Sequence, residues 1–223
     1  MNRLLLIVLI LFYPSGILLA QYFYRIEADI SIKTKAGNFS QLTMGRVFYD
    51  INIKKLVYNI TFPEKEVWVV KDSVVSTYVG GKLVKKTTTV ALVQSTVFHL
   101  ALEGRLSDYG LSKSLYKITK VEKDGDMVIT TYSPPPQMKG FGDIVISTKN
   151  KSLYGVVFFS ADKKILSKQI VKSYTTVSGL KFPAEIIQIY YKEGKENYQV
   201  MTFKNIKVNN QQNESFYRYP DVR

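Results

Sequence analysis

The sequence predicts a mainly β protein: a strongly curved, incompletely closed antiparallel β-barrel, or half-barrel, with one or two helices as lid or plug. Three observations lead there. Residues 56–86 read as four short strands in series, with breaks too closely spaced for a helix of ordinary length. Only one later stretch, residues 90–103, carries a convincing helical stripe. The third is a surplus of apolar strand surface. The chain holds 16 tyrosines and 12 phenylalanines, many at alternating positions, more than a flat sheet with one wet face can bury. Curving the sheet around a concave interior gives that surface a place.

The four strands justify themselves residue by residue. Leu56, Tyr58, Ile60 and Phe62 alternate with Val57, Asn59 and Thr61, the period of a half-buried strand. Pro63-Glu64-Lys65-Glu66 breaks the run, because proline gives no ladder donor and its charged neighbours want water. Val67-Trp68-Val69-Val70 follows, then a Lys71-Asp72-Ser73 turn. Val74–Val79 makes the third strand, and Gly80-Gly81 turns the chain into residues 83–89.

Upstream, residues 1–20 read as a signal peptide. Arg3 supplies a positive start, Leu4–Phe12 an apolar run, Pro14-Ser15-Gly16 a break, and Ala20 a small residue before a cut at Gln21. The run is too short and interrupted for a membrane span, which needs roughly 20 apolar residues. Residues 21–223 are then a single exported domain. Cysteine is absent, so there is no disulfide and no acylated N-terminal cysteine. A chain of this length buries one sizeable core without staples.

The net charge of +13 comes mostly from lysines scattered over strands and turns. They read first as protection of strand edges against pairing with another chain, and second as attraction to anionic lipid or an acidic partner. No arginine-rich helix or nucleic-acid motif accompanies them, and no nucleic-acid partner is expected.

The first mature strand sets Tyr22, Tyr24, Ile26, Ala28, Ile30 and Ile32 against Phe23, Arg25, Glu27, Asp29, Ser31 and Lys33. The second, through Tyr49 and Ile51, is apolar on both faces, so both sides must be covered. Residues 90–103 are the expected cover. Val93, Val97, Leu100 and Ala101 fall on one helical stripe, Gln94, Ser95, His99 and Glu103 on the other side, and Gly104 is a natural stop. Ser107–Leu115 adds a turn or two. Strands resume at Tyr116 and continue as a meander, with turns at 123–126, 150–151, 162–163 and 192–195. Ser133–Gly140, with three prolines, is an exposed loop. The last residues lie along the outside, anchored by Phe216 and Tyr217.

Catalytic chemistry finds no foothold. The single histidine, His99, reads as a surface residue. Without cysteine, a His- or Cys-based zinc site cannot form. The Asp124 and Asp126 loop lacks the spaced oxygens of a calcium loop, and no serine sits in a Gly-x-Ser-x-Gly elbow. No enzyme, metal or cofactor is expected.

Lys55, Leu56, Tyr58, Pro63, Asp72 and Tyr78 fall in the order and spacing of the periplasmic lipoprotein-carrier family (LolA-type). Gly179-Leu180-Lys181-Phe182-Pro183 resembles that family's lead-in to a late strand, and Asn205-Ile206 through Phe216 and Pro220 its closing segment. Val57 stands where many carriers have arginine, and Ser73 where they have glycine. The resemblance implies the half-barrel fold and acyl-chain binding beneath a lid. On it rests the expected cavity lining: Tyr58, Ile60, Phe62, Trp68, Val70, Tyr78, Val93, Val97, Leu100 and Ala101. It implies a periplasmic monomer that takes acyl chains of lipid or lipoprotein from a membrane-bound donor and passes them to an acceptor. With valine at position 57, the lid would close by apolar packing alone. A non-transport binding or envelope-sensor module of the same fold, or a structural β protein with no cavity, is the alternative.

Overall fold

The computed structural model describes residues 22–88, 93–192 and 194–220; the expected leader and residues 90–92 of the expected helix lie outside them. Thirteen strands follow in chain order. The first six are β1 (Arg25–Ala36), β2 (Phe39–Asp50), β3 (Lys55–Phe62), β4 (Glu66–Lys71), β5 (Val74–Val79) and β6 (Lys82–Thr88). After the helical segment come β7 (Lys117–Asp124), β8 (Met127–Ser133), β9 (Phe141–Lys149), β10 (Ser152–Ser160), β11 (Ile165–Val177), β12 (Leu180–Lys192) and β13 (Lys195–Val208). They form one antiparallel sheet in the order β6-β5-β4-β3-β2-β1-β13-β12-β11-β10-β9-β8-β7. The sheet is an open, curved half-barrel, not a closed one.

Local chemistry explains the two meanders, β1–β6 and β7–β13. Short turns link most neighbours, and Asn150 and Lys151 both take left-handed φ (51° and 59°), the geometry that matches strand twist in a two-residue hairpin. The meanders meet where β1 pairs with β13, from Ile26 opposite Val208 to Ala36 opposite Asn197. The two edges, β6 and β7, are exposed throughout. They carry Lys82, Lys85 and Lys86 on one side and Lys117, Lys120 and Lys123 on the other, as edge protection requires.

Cross-strand partners share a face, so the register sorts the sheet into two surfaces. The inner face presents Ile26, Ala28, Ile30, Val47, Tyr49, Leu56, Ile186 and Phe203 to the main core. Its cover is a 3-10 turn, Val93–Ser95, followed by α1 (Val97–Leu102). The cover is shorter than the helix expected over residues 90–103. Thr96 divides it: its hydroxyl donates to the Val93 carbonyl at 2.7 Å and accepts from the His99 amide at 3.4 Å, an N-cap.

The outer face has a cover of its own, α2 (Glu214–Tyr217). Phe216 stacks on Phe48 at 4.7 Å and Tyr217 meets the same ring edge-on at 5.5 Å. The doubly apolar second strand is thus covered twice, from inside by α1 and from outside by the C-terminal segment. Polar contacts seat that segment. Glu27, fully buried, accepts from the side-chain amides of Asn210 and Asn213 at 2.9 and 2.8 Å. Arg25 bridges Asp50 at 2.6 Å and Glu214 at 2.5 Å. The polar face of the first strand is therefore partly interior, because residues far along the chain fold over it.

Candidate functional site

The candidate site is the concave face, assembled by β1–β4 and β7–β13 with α1 packed across part of it. Tyr58 lies opposite Val47 and Trp68, with the Tyr58 and Trp68 rings 6.0 Å apart. Burial pushes the Tyr58 hydroxyl well above its ordinary value. Trp68 turns its indole N–H to Glu66 at 2.6 Å, keeping its one donor satisfied. Val70 lies opposite Leu56 on the same side. Val93, Val97, Leu100 and Ala101 are buried together against this face, and Ile60 is buried in β3. Tyr58, Ile60, Trp68, Val70, Val93, Val97, Leu100 and Ala101 thus stand on one side of the sheet.

Two expected lining residues do not. Tyr78 pairs with Val67, which shares its side of β4 with Val69, and meets the Tyr219 ring edge-on at 5.4 Å. It belongs to the outer face. The two-residue turn at Asp72-Ser73 fixes this by setting Lys71 opposite Val74. Phe62 follows a register shift and pairs with Met44 rather than continuing the row of Gly45 and Ile60; it is exposed at the sheet's end. Val57 also faces outward. It is buried among Phe48, Val69 and Tyr217, so it has no part in closing a lid on the inner side.

His99 is a further correction. It is 5 % exposed rather than a surface residue. Its Nδ1 lies 2.6 Å from the Tyr49 hydroxyl and its Nε2 3.4 Å from a Glu103 oxygen. With Tyr49 donating, the neutral ring carries its proton on Nε2, toward Glu103. Burial lowers the His99 pKa, against an opposing pull from Glu103, while Lys54, Arg105 and Lys113 lower it further. The Tyr49–His99 pair is a polar pin between β2 and α1. No local pattern could have found it, since the two residues meet only through the tertiary fold.

Beyond α1 the chain runs over the inner face of the second meander. Tyr109 meets the Phe158 ring edge-on at 5.7 Å, and its buried hydroxyl is pushed up to about 12. The Tyr116 hydroxyl donates to the Gly142 carbonyl at 3.2 Å. A cleft of about 240 Å³ opens beside this segment, between Ala101, Gly104 and Leu106 and the strand residues Leu153, Tyr174 and Leu180. A hollow of about 580 Å³ on the outer side is bordered by the charged Asp29, Lys33, Arg46 and Lys204 and by the apolar Ile30 and Met44. Among the described residues, no group of three or more His, Cys, Asp or Glu stands where it could hold a metal ion, and no helix is long and apolar enough to cross a membrane. Asp126, in the expected turn, pairs with Lys149 at 2.7 Å.

No family model and no curated protein matches the sequence. Solved structures do match the fold. A LolA superfamily protein from Nitrosomonas europaea superposes with a TM-score of 0.59 at 13% identity, over 86% of this chain and 90% of that one. An outer membrane lipoprotein-sorting protein domain from Vibrio parahaemolyticus gives 0.61 at 10% identity, over 87% and 89%. A DUF1329 family protein from Desulfovibrio piger gives 0.62 at 8% identity, over 90% and 92%. At such identities the likeness is one of architecture, and it covers nearly the whole of each chain: the protein has the LolA-like fold.

Proposed function

We propose that the chain is an exported carrier that holds acyl chains of lipid or lipoprotein on the concave face and passes them to an acceptor. The observation that carries this reading is apolar surface left open on that face. By register, Phe39, Ile118, Val121, Val128 and Tyr190 belong to it, and all five are exposed. Large apolar side chains grouped on one concave side of a protein signal a partner. The lipoprotein-sorting domain of like fold supports the choice of partner.

The geometry also suits release. Each buried CH₂ contributes about 0.8 kcal/mol, so a protein that enclosed several whole chains could hardly give them up. Here the 3-10 turn and α1 already fill part of the interior with Val93, Phe98 and Leu100, leaving partial burial for a ligand. The carrier acts as a monomer between membrane-bound donor and acceptor proteins, and no bond is made or broken in the exchange.

The test is mass spectrometry of the mature chain, residues 21–223, purified from the cell envelope without detergent. A co-purifying amphiphile is expected, and it should move to acceptor vesicles on incubation. Repeated recovery of ligand-free protein would overturn the binding reading. Bound lipid that never leaves would leave a binding module and remove the carrier.

A further inference from the structure

The inner face is not uniformly apolar. Following the register across five adjacent strands, Gln41 lies opposite Thr34, Thr34 opposite Gln199, Gln199 opposite Gln188, and Gln188 opposite Gln169. The next partner, Val156, is core, which fixes the row on the concave side. The stripe runs from an exposed end at Gln41 to a buried end at Gln169, with Gln188 and Gln199 half-buried between them. The rows on either side, from Thr43 to Val171 and from Phe39 to Ser167, contain no charged side chain.

Gln169 is 5 % exposed, and its side-chain oxygen has no hydrogen-bond partner. A buried amide oxygen left unpaired is unfavourable, and a ligand group that donates to it recovers the lost hydrogen bond. The same surroundings are poor for an ion. With no lysine or arginine in these rows, a carboxylate or phosphate drawn into the stripe would lose water without gaining a countercharge.

We propose that the concave face selects amphiphiles with an uncharged, hydrogen-bond-donating head, an amide or a hydroxyl, which lodges on the glutamine stripe with its donor at Gln169. This rests on the acyl-chain reading and narrows it to a class: N-acyl amides and acylglycerols rather than free fatty acids or anionic phospholipids. The tails lie along the uncharged rows beside the stripe, toward Ile32 and Met201 on one side and Tyr190 and Phe158 on the other.

The experiment loads the mature chain with N-phenyl-1-naphthylamine, an uncharged apolar fluorophore. It then displaces the fluorophore with monopalmitoylglycerol, palmitamide, palmitate and palmitoyl lysophosphatidic acid, all of one chain length and below their micelle concentrations. The two neutral ligands should bind about tenfold more tightly than the two anions, the worth of roughly one well-placed hydrogen bond and an avoided desolvation. Gln169→Leu, close in volume and free of the unpaired oxygen, should keep fluorophore uptake and lose most of that preference. Gln188→Leu, at a half-buried position, should weaken it in a protein whose core is untouched. Equal or tighter binding of palmitate, or full preference retained in both variants, would overturn the head-group assignment while leaving the carrier standing. A wild-type chain that takes up no fluorophore and no palmitoyl ligand would remove the acyl-chain reading, and this inference with it.

Discussion

Phe98→Ala separates a fixed plug from a swinging lid. Phe98 is 3 % exposed, and its ring sits 5.5 Å from Phe182, 5.4 Å from Phe203 and 6.4 Å from Tyr49. It therefore ties α1 to β12, β13 and β2 together. Truncating a buried phenylalanine costs about 3–5 kcal/mol, which already includes its aromatic contacts of about 0.5–1.5 kcal/mol each. Taking about 4 kcal/mol, and a urea slope of roughly 2.5 kcal/mol per molar for a chain of this size, the midpoint should fall by about 1.6 M. Trp68 is the only tryptophan and stands on β4, away from α1, so its fluorescence follows the sheet rather than the helix. A plug lowers the Trp68 transition by the full amount. If the Trp68 midpoint moved by less than about 0.5 M while amide exchange in residues 97–102 accelerated, α1 would be a detachable lid and the packing argument would be wrong.

Three further outcomes follow from other contacts. Gly45→Ala should destabilise by about 2–3 kcal/mol in thermal melts, because a Cβ there lands on the Asn59 carbonyl oxygen and 2.8 Å from the Ile60 Cα, both backbone atoms that cannot turn aside. Val57→Arg should lower stability by roughly 3 kcal/mol or more by burying a charge beneath Tyr217, and should expose the bond after Arg218 to trypsin; a fully stable variant would mean that α2 is not seated there. The folded pKa of His99 lies below its ordinary 6.5, so its contribution to stability is complete above pH 6.5 and is lost as the pH falls from there through the folded value. His99→Gln should flatten the stability curve between about pH 6.5 and 5, and an unchanged acid slope would exclude the Tyr49–His99 pin as its source.

Strand positions and turns were readable because their causes are local. Alternation marked β1 and β3, and Gly80-Gly81 and Asn150-Lys151 marked where the chain reverses. Even the lysine-rich edges follow from an ordinary rule applied to β6 and β7. What escaped the sequence depends on distant neighbours. Arg25 and Glu27 look like a solvated face until Asn210, Asn213 and Glu214 arrive from the other end of the chain. His99 looks like surface until Tyr49 is placed beneath it. Tyr78 is a different case: counting residues across the two-residue turn at Asp72-Ser73 would have paired it with Val67 and given the correct face. The glutamine stripe was also within reach, since Gln169 and Val171 share a strand face. It becomes a row only once β1 is known to lie beside β13.

The pairing of β1 with β13 also sets the order in which the molecule can be built. Every other neighbour in the sheet is also a neighbour in sequence, so each meander can zip up from its own hairpins. The join between them brings together the first and last strands of the chain, a contact of the greatest possible sequence separation and hence a slow step. Until it forms, β1 is a bare edge of twelve residues whose inner side is Ile26, Ala28, Ile30 and Ile32. During vectorial synthesis or secretion β1 emerges first and β13 last. That template for misassembly therefore stays open for almost the whole time the chain takes to appear. Strand β13 and the segment carrying Phe216 and Tyr217 follow last, and in arriving they close the sheet's centre and cover its back together.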